Sequence, residues 1–165
     1  MNTHSKGEKM KKLLVSLGLG AMLATSAFAL SGPMAHIFKA EVKANAKYVK
    51  YITPQQLKKW MDEDKDFTVL DVREPAETAA GTVDWIELEK IPRGLVDVKA
   101  AVGYLKPNNT YVVICKTGGR ATLAGAKLVK QYGFKHVYVL KGGMVGWMKA
   151  GYTVVNKLGK FKAAQ

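Results

Sequence analysis

The stretch that most constrains the fold is Tyr111–Lys130, where a short apolar run ends at a cysteine, a loop follows and a helical pattern begins. Tyr111-Val112-Val113-Ile114 is rich in β-branched residues and too short for a helix, so it predicts a buried strand. Ala121, Ala124 and Leu128 then recur at i, i+3 and i+7, the spacing of one helix face. Between the two lies Cys115-Lys116-Thr117-Gly118-Gly119-Arg120, whose adjacent glycines permit a sharp turn at positive φ. Cys115 therefore sits at the C-terminal end of a strand, in a loop that closes on a helix N-terminus. Unpaired amides of the first helical turn and of the loop favour negative charge there. They favour the thiolate, the reactive form of cysteine, and Lys116 and Arg120 add positive charge suited to an anionic substrate. A plainer reading is an inert cysteine filling space as a small hydrophobe. That role needs neither the paired glycines nor the flanking cations.

The rest of the chain alternates strand and helix patterns around this unit. Tyr48–Ile52 alternates as a strand, and Thr53 caps a helix with Pro54 first and Gln56 three residues on, a capping-box arrangement. Leu57, Trp60 and Met61 form its apolar face. Phe67–Leu70 is the next strand, followed at once by Asp71-Val72-Arg73-Glu74, and Pro75–Ala80 makes a helical turn ending at Gly81. Thr82–Lys90 reads as irregular, anchored by Val83 and Ile86. A helix over Leu95–Leu105 and a turn at Pro107–Thr110 lead into the central strand. Beyond the central helix, Gly133 is a C-cap, His136–Leu140 is a strand, and Lys141-Gly142-Gly143 opens a last short helix bearing Met144, Trp147 and Met148. This order predicts a doubly wound, mainly parallel α/β sheet flanked by helices, in a single domain. Ligands of such sheets bind beyond the carboxyl ends of the strands, where Cys115 and Asp71 both fall.

At 165 residues and 48% hydrophobic the chain can bury one real core. Its beginning reads differently. Lys6, Lys9, Lys11 and Lys12 precede the apolar run Leu13–Leu23, and Ala27-Phe28-Ala29 supplies a small-x-small cleavage pattern, so residues 1–29 read as a secretory signal peptide. Translation from Met1 or from Met10 fits that pattern. An uncleaved anchor is the alternative, since Leu13–Ala29 reaches the short limit of a membrane span. The expected organisation is a leader over 1–29, a linker over 30–46 that begins with Ser31-Gly32-Pro33, a folded domain over 47–158 and a basic tail over 159–165. The protein is expected to be exported and periplasmic, or membrane-anchored if the leader is retained.

With one cysteine no intramolecular disulfide can form, so Cys115 is buried, paired between molecules or a working thiol. His4, His36 and His136 are far apart in the chain, which offers neither a metal cluster nor a Cys–His nucleophile pair. No metal or other cofactor is expected, and the loop itself must activate the sulfur. The net charge of +13 is scattered over lysines with no arginine-rich helix or aromatic-interleaved basic ladder. A solvated basic surface able to steer anions or touch anionic lipid is expected, and no nucleic-acid partner.

Four motifs, in order, resemble a single-domain rhodanese: Leu70-Asp71-Val72-Arg73-Glu74, Ile91-Pro92-Arg93-Gly94, the loop Cys115–Arg120, and Leu140-Lys141-Gly142-Gly143 with Trp147 and Gly151-Tyr152. The resemblance spans about Tyr48–Val155. It implies a thiosulfate sulfurtransferase-like enzyme. The Cys115 thiolate would attack the outer sulfur of thiosulfate or a similar small anionic donor and form a persulfide. Cyanide, a small thiol or a partner protein would then take the sulfur, in ping-pong fashion. Lys116, Thr117, Gly118, Gly119 and Arg120 would bind the donor, Arg120 through bidentate contact and Lys116 as a point charge. Asp71 and Arg73 would support the loop. Related phosphatases place five residues between the cysteine and the arginine; the four here favour sulfur. The chain departs from many members of the family at Gly81-Thr82-Val83, where they carry Gly-His-Ile, and in the longer stretch around Trp85. Two other readings stay open: a polysulfide or sulfane-sulfur carrier delivering to a partner protein, and a rhodanese-like binding module with an unreactive Cys115.

Overall fold

In the computed structural model, which describes residues 32–163, alternate side chains of the central strand serve two different cores. That strand is β5 (Thr110–Ile114). Tyr111, Val113 and Cys115 pack on one side of the sheet with Leu70, Leu128 and Val139, while Val112 and Ile114 pack on the other with Leu57, Val69 and Trp147. Successive side chains of a strand point to opposite faces, and a run apolar on both faces is the signature of a strand covered twice. The same alternation sends Cys115 to the face that carries the following helix.

The main sheet runs in the order β1 (Lys50–Ile52), β6 (His136–Leu140), β5, β2 (Thr68–Asp71), β4 (Leu88–Lys90), and all four pairings are parallel. Helices α4 (Val96–Ala101) and α5 (Gly119–Tyr132) cover the face that includes Cys115. Helices α2 (Pro54–Asp62) and α6 (Gly143–Lys149) cover the opposite face. The predicted doubly wound, mainly parallel architecture is present, and Ala121, Ala124 and Leu128 are the buried stripe of α5 as their spacing requires. The capping box of α2 also forms: Gln56 N donates to Thr53 Oγ1 at 3.1 Å, and Thr53 N donates to Gln56 Oε1 at 2.9 Å. Among the described residues, no helix is long and apolar enough to cross a membrane.

The structure departs from the sequence reading where pairing is long-range. Thr82–Lys90, expected to be irregular, holds two short strands, β3 (Thr82–Val83) and β4. β4 finds its partner in β2 and forms the sheet edge, while β3 joins β7 (Val154–Asn156) and β8 (Gly159–Phe161) in a separate antiparallel sheet. Two- and three-residue strands carry no periodic signal of their own. Val83 is buried as expected, but Ile86 is 90% exposed and anchors nothing. Trp85 serves instead. Its ring stacks on Phe67 at 4.7 Å between centroids, and its Nε1 donates to the Phe67 carbonyl at 3.0 Å.

The stretch 30–46, expected as a linker, contains a helix, α1 (Ala35–Asn45). Its alanines and lysines are good helix formers. Phe38 and Val42, four apart and so on one face, lie against Gly119 at the start of α5: a Cβ built there would come within 2.9 Å of Phe38. A two-residue stripe is too faint to read without its partner. The start of the expected basic tail, 159–165, is likewise structured as β8. Leu158 N donates to Asn156 Oδ1 at 2.8 Å, an Asx-type turn that reverses the chain between β7 and β8. The expected leader, residues 1–29, lies outside the described residues.

Candidate active site

Cys115 follows directly on β5, at the carboxyl end of the sheet, and is 1% exposed. Two amides converge on its sulfur. Gly118 N donates to Sγ at 3.1 Å and Ala121 N at 3.4 Å, the second from the first turn of α5. Amides at a helix N-terminus carry the positive end of the helix dipole, so both the contacts and the dipole stabilise negative charge on this sulfur. The turn that brings them there needs Gly118, whose φ of 108° is open to glycine and costly for other residues. Thr122 locks the same turn, its Oγ1 donating to the Gly118 carbonyl at 3.0 Å.

The loop is held from the other side by α6. Met144 N donates to the Cys115 carbonyl at 2.8 Å and Val145 N to the Lys116 carbonyl at 3.0 Å. Free amides at the start of one helix thus bind the backbone of the loop that leads into another. The approach is so close that a Cβ at Gly143 would fall 2.3 Å from the Cys115 carbonyl oxygen, and its φ is +56°. The Gly142-Gly143 pair, expected to open a short helix, opens it against the cysteine loop.

Of the expected donor-binding residues, Thr117 is exposed at the rim, Gly118 is buried, and Lys116, Gly119 and Arg120 are half-buried. Arg120 has a partner that sequence reasoning missed. Its Nη1 and Nη2 each reach one carboxylate oxygen of Glu77 at 2.6 Å, a parallel two-bond fork. The Arg120 hydrogen bonds, helped by the Glu74 N–H, hold the Glu77 carboxyl down to about 2, while Glu77 raises the affinity of Arg120 for its proton. Glu77 was legible in sequence only as the third residue of a helix start after Glu74-Pro75. There it also completes a capping box, accepting from Glu74 N at 3.2 Å. Its pairing with Arg120, forty-three positions away, has no local signature.

Asp71 and Arg73 form the buried support. Asp71 is 0% exposed and Arg73 7%. Arg73 Nε and Nη2 reach the Asp71 carboxylate at 2.9 and 2.6 Å, Nη2 also donates to the Gly81 carbonyl at 2.8 Å, and Nη1 to the Glu77 carbonyl at 3.2 Å. Thr82 Oγ1 completes Asp71 at 3.0 Å. An ion pair buried this deeply is tolerated because its hydrogen-bonding groups find partners. It ties the end of β2 to α3 (Pro75–Ala80) and β3, and α3 in turn presents Glu77 to Arg120. Backbone bonds from Ile91 N to the Asp71 carbonyl (3.0 Å) and from Arg93 N to the Val72 carbonyl (3.1 Å) bring Ile91-Pro92-Arg93 alongside the same strand end. Among the described residues, no three His, Cys, Asp or Glu side chains gather as metal ligands.

Comparison with known proteins agrees with this fold. The family model described as Rhodanese-like domain matches residues 53–150. A probable adenylyltransferase/sulfurtransferase, MoeZ, of Mycobacterium tuberculosis is 36% identical over 110 residues, which is 67% of this chain and 27% of that protein. A sulfurtransferase of Allochromatium vinosum is 27% identical over 107 residues, 65% of this chain and 95% of its own length. Among solved structures, the polysulfide-sulfur transferase homodimer of Wolinella succinogenes aligns with a TM-score of 0.62 at 36% identity, covering 76% of this chain and 91% of that one.

Proposed function

This chain belongs to the rhodanese-like domain family, and from that premise we propose that it transfers sulfane sulfur through a persulfide on Cys115. Sulfurtransferase relatives support sulfur transfer in general. The observation that carries the finer reading is the pair of amides from Gly118 and Ala121 directed at Cys115 Sγ. They stabilise a thiolate before reaction and a persulfide anion after it, so one cradle serves both half-reactions. With 1% exposure, the sulfur admits a slender terminal atom, such as the outer sulfur of thiosulfate, a polysulfide or a persulfide, more readily than a bulky electrophile.

Thiosulfate would load Cys115 by displacement of sulfite. The Cys115 thiolate forms a bond to the sulfane sulfur, the sulfur–sulfur bond of the donor breaks, and sulfite leaves with the electron pair. Cyanide or a thiolate then takes the sulfur and restores Cys115. Intact mass before and after thiosulfate or polysulfide, and again after cyanide, tests this. A gain of about one sulfur atom that cyanide removes, absent in Cys115→Ser, supports the cycle. No adduct with any donor overturns it.

A second reading has its own support in the excess of positive charge, +13 over the chain. A carrier that hands sulfur to a protein would use that charge for docking, and added salt would slow transfer to the partner more than transfer to cyanide. The leader pattern at residues 1–29 supports export, which N-terminal sequencing of the protein recovered from its host checks.

A further inference from the structure

Arg120 is the residue whose planar fork best matches the oxygens of an anionic donor, yet both of its terminal nitrogens are committed to Glu77 at 2.6 Å. Glu77 is held there from three sides. Arg120 takes its two oxygens, the Glu74 amide donates to Oε2 at 3.2 Å, and its own carbonyl accepts from Arg73 Nη1 at 3.2 Å. Its carboxylate stays charged throughout the neutral range. Asp71 likewise matches Arg73 charge for charge beneath α3. A dianion approaching Cys115 therefore meets an arginine already neutralised by a fixed carboxylate, and must displace or share that carboxylate to gain the fork.

Resting on the reading that Cys115 accepts sulfane sulfur, we propose that Glu77 determines donor specificity: by holding the Arg120 fork it disfavours donors with a sulfonate-type oxyanion head, and suits the site to oxygen-free sulfane chains such as organic persulfides. For such a donor the Cys115 thiolate bonds to the outer sulfur and the S–S bond of the donor breaks. The organic thiolate leaves with the electron pair, and the proton of the outer sulfur stays on the new Cys115 persulfide. No oxygen atoms need a cation at any point in that step. Glu77 touches neither donor nor sulfur in this scheme; it acts through Arg120 and is a positioning residue.

The test separates binding from transfer. Thiosulfate is titrated calorimetrically into the unreactive Cys115→Ser protein, with and without Glu77→Gln. Removing one like charge beside a dianion should tighten binding about tenfold. Glu77→Ala should do the same, whereas Glu77→Asp, which disturbs the geometry but keeps the charge, should not. The gain should vanish when Arg120→Gln is added. Unchanged or weaker thiosulfate binding in both Glu77→Gln and Glu77→Ala overturns the proposal, as does a gain that survives loss of Arg120. In the chain that retains Cys115, Glu77→Gln should shift the ratio of loading rates from glutathione persulfide toward thiosulfate, and equal losses with both donors would mark Glu77 as merely structural. Absence of any adduct in the unaltered protein removes the transfer reading, while the titrations still decide what Glu77 does.

Discussion

Gly118 N lies 3.1 Å from Cys115 Sγ, so the residue three positions after the cysteine turns its amide back onto the sulfur. Ala121 N, 3.4 Å from the same atom, does so from the helix the loop starts. Strand end, glycine turn and helix start thus build a single anion cradle whose occupant is the sulfur itself.

Replacing Cys115 by serine should leave the fold intact and abolish sulfur loading. The hydroxyl fits the same cradle but is a poor nucleophile at neutral pH. Intact mass after thiosulfate, polysulfide or persulfide reads the outcome, and a retained sulfur adduct would place the reactive group elsewhere.

Arg73→Ala should destabilise the protein by about 3–5 kcal/mol, because it leaves the fully buried Asp71 carboxylate without its ion partner. Replacing both residues together with apolar ones of similar volume should recover part of that loss. Urea unfolding of the single and double variants measures both. A single-variant loss below about 1 kcal/mol would show that the pair does not hold the strand end.

Gly143→Ala should cost at least about 2 kcal/mol, since the added methyl meets the Cys115 carbonyl oxygen at 2.3 Å at a φ of +56°. The strain falls on the loop backbone, so sulfur loading of Cys115 should slow along with the loss of thermal stability. Loading at the native rate in a folded Gly143→Ala protein would show that α6 does not fix the loop.

Acid should weaken the Glu77–Arg120 fork in a defined window. The Glu77 carboxyl is lowered from 4.5 to about 2 by Arg120, so its contribution is fully present above about 4.5 and is lost as pH falls toward 2. The side chain is 31% exposed, and screening reduces the contribution to about 1 kcal/mol. Unfolding free energies of the unaltered chain and of Glu77→Gln should differ by that amount at pH 6, narrow below about 4.5 and converge only as pH reaches about 2. A gap independent of pH would mean that packing, not charge, links α3 to α5.

Much of the cradle was legible in one dimension because its parts are neighbours in sequence. A β-branched run, a cysteine, two glycines and an i, i+3, i+7 stripe determine strand, turn and helix by local sterics and periodicity, and those alone put Cys115 at a strand end beneath a helix N-terminus. The capping box at Thr53 and Gln56 was readable for the same reason.

What depended on distant partners was not readable. Strands β3 and β4 are too short to show a period and exist because β7 and β2 complete their hydrogen bonds. Helix α1 meets Gly119 of α5 through only two side chains, Phe38 and Val42, a stripe too short to read without its partner. The charge state of the site followed the same rule: the sequence counted Lys116 and Arg120 as cations beside the sulfur, whereas the fold sets Glu77, from forty-three positions upstream, against Arg120. Local chemistry thus determined where the cysteine sits and which amides cradle its sulfur. Only the tertiary structure decided which charges surround it, because charges act through space and the fold alone sets those distances.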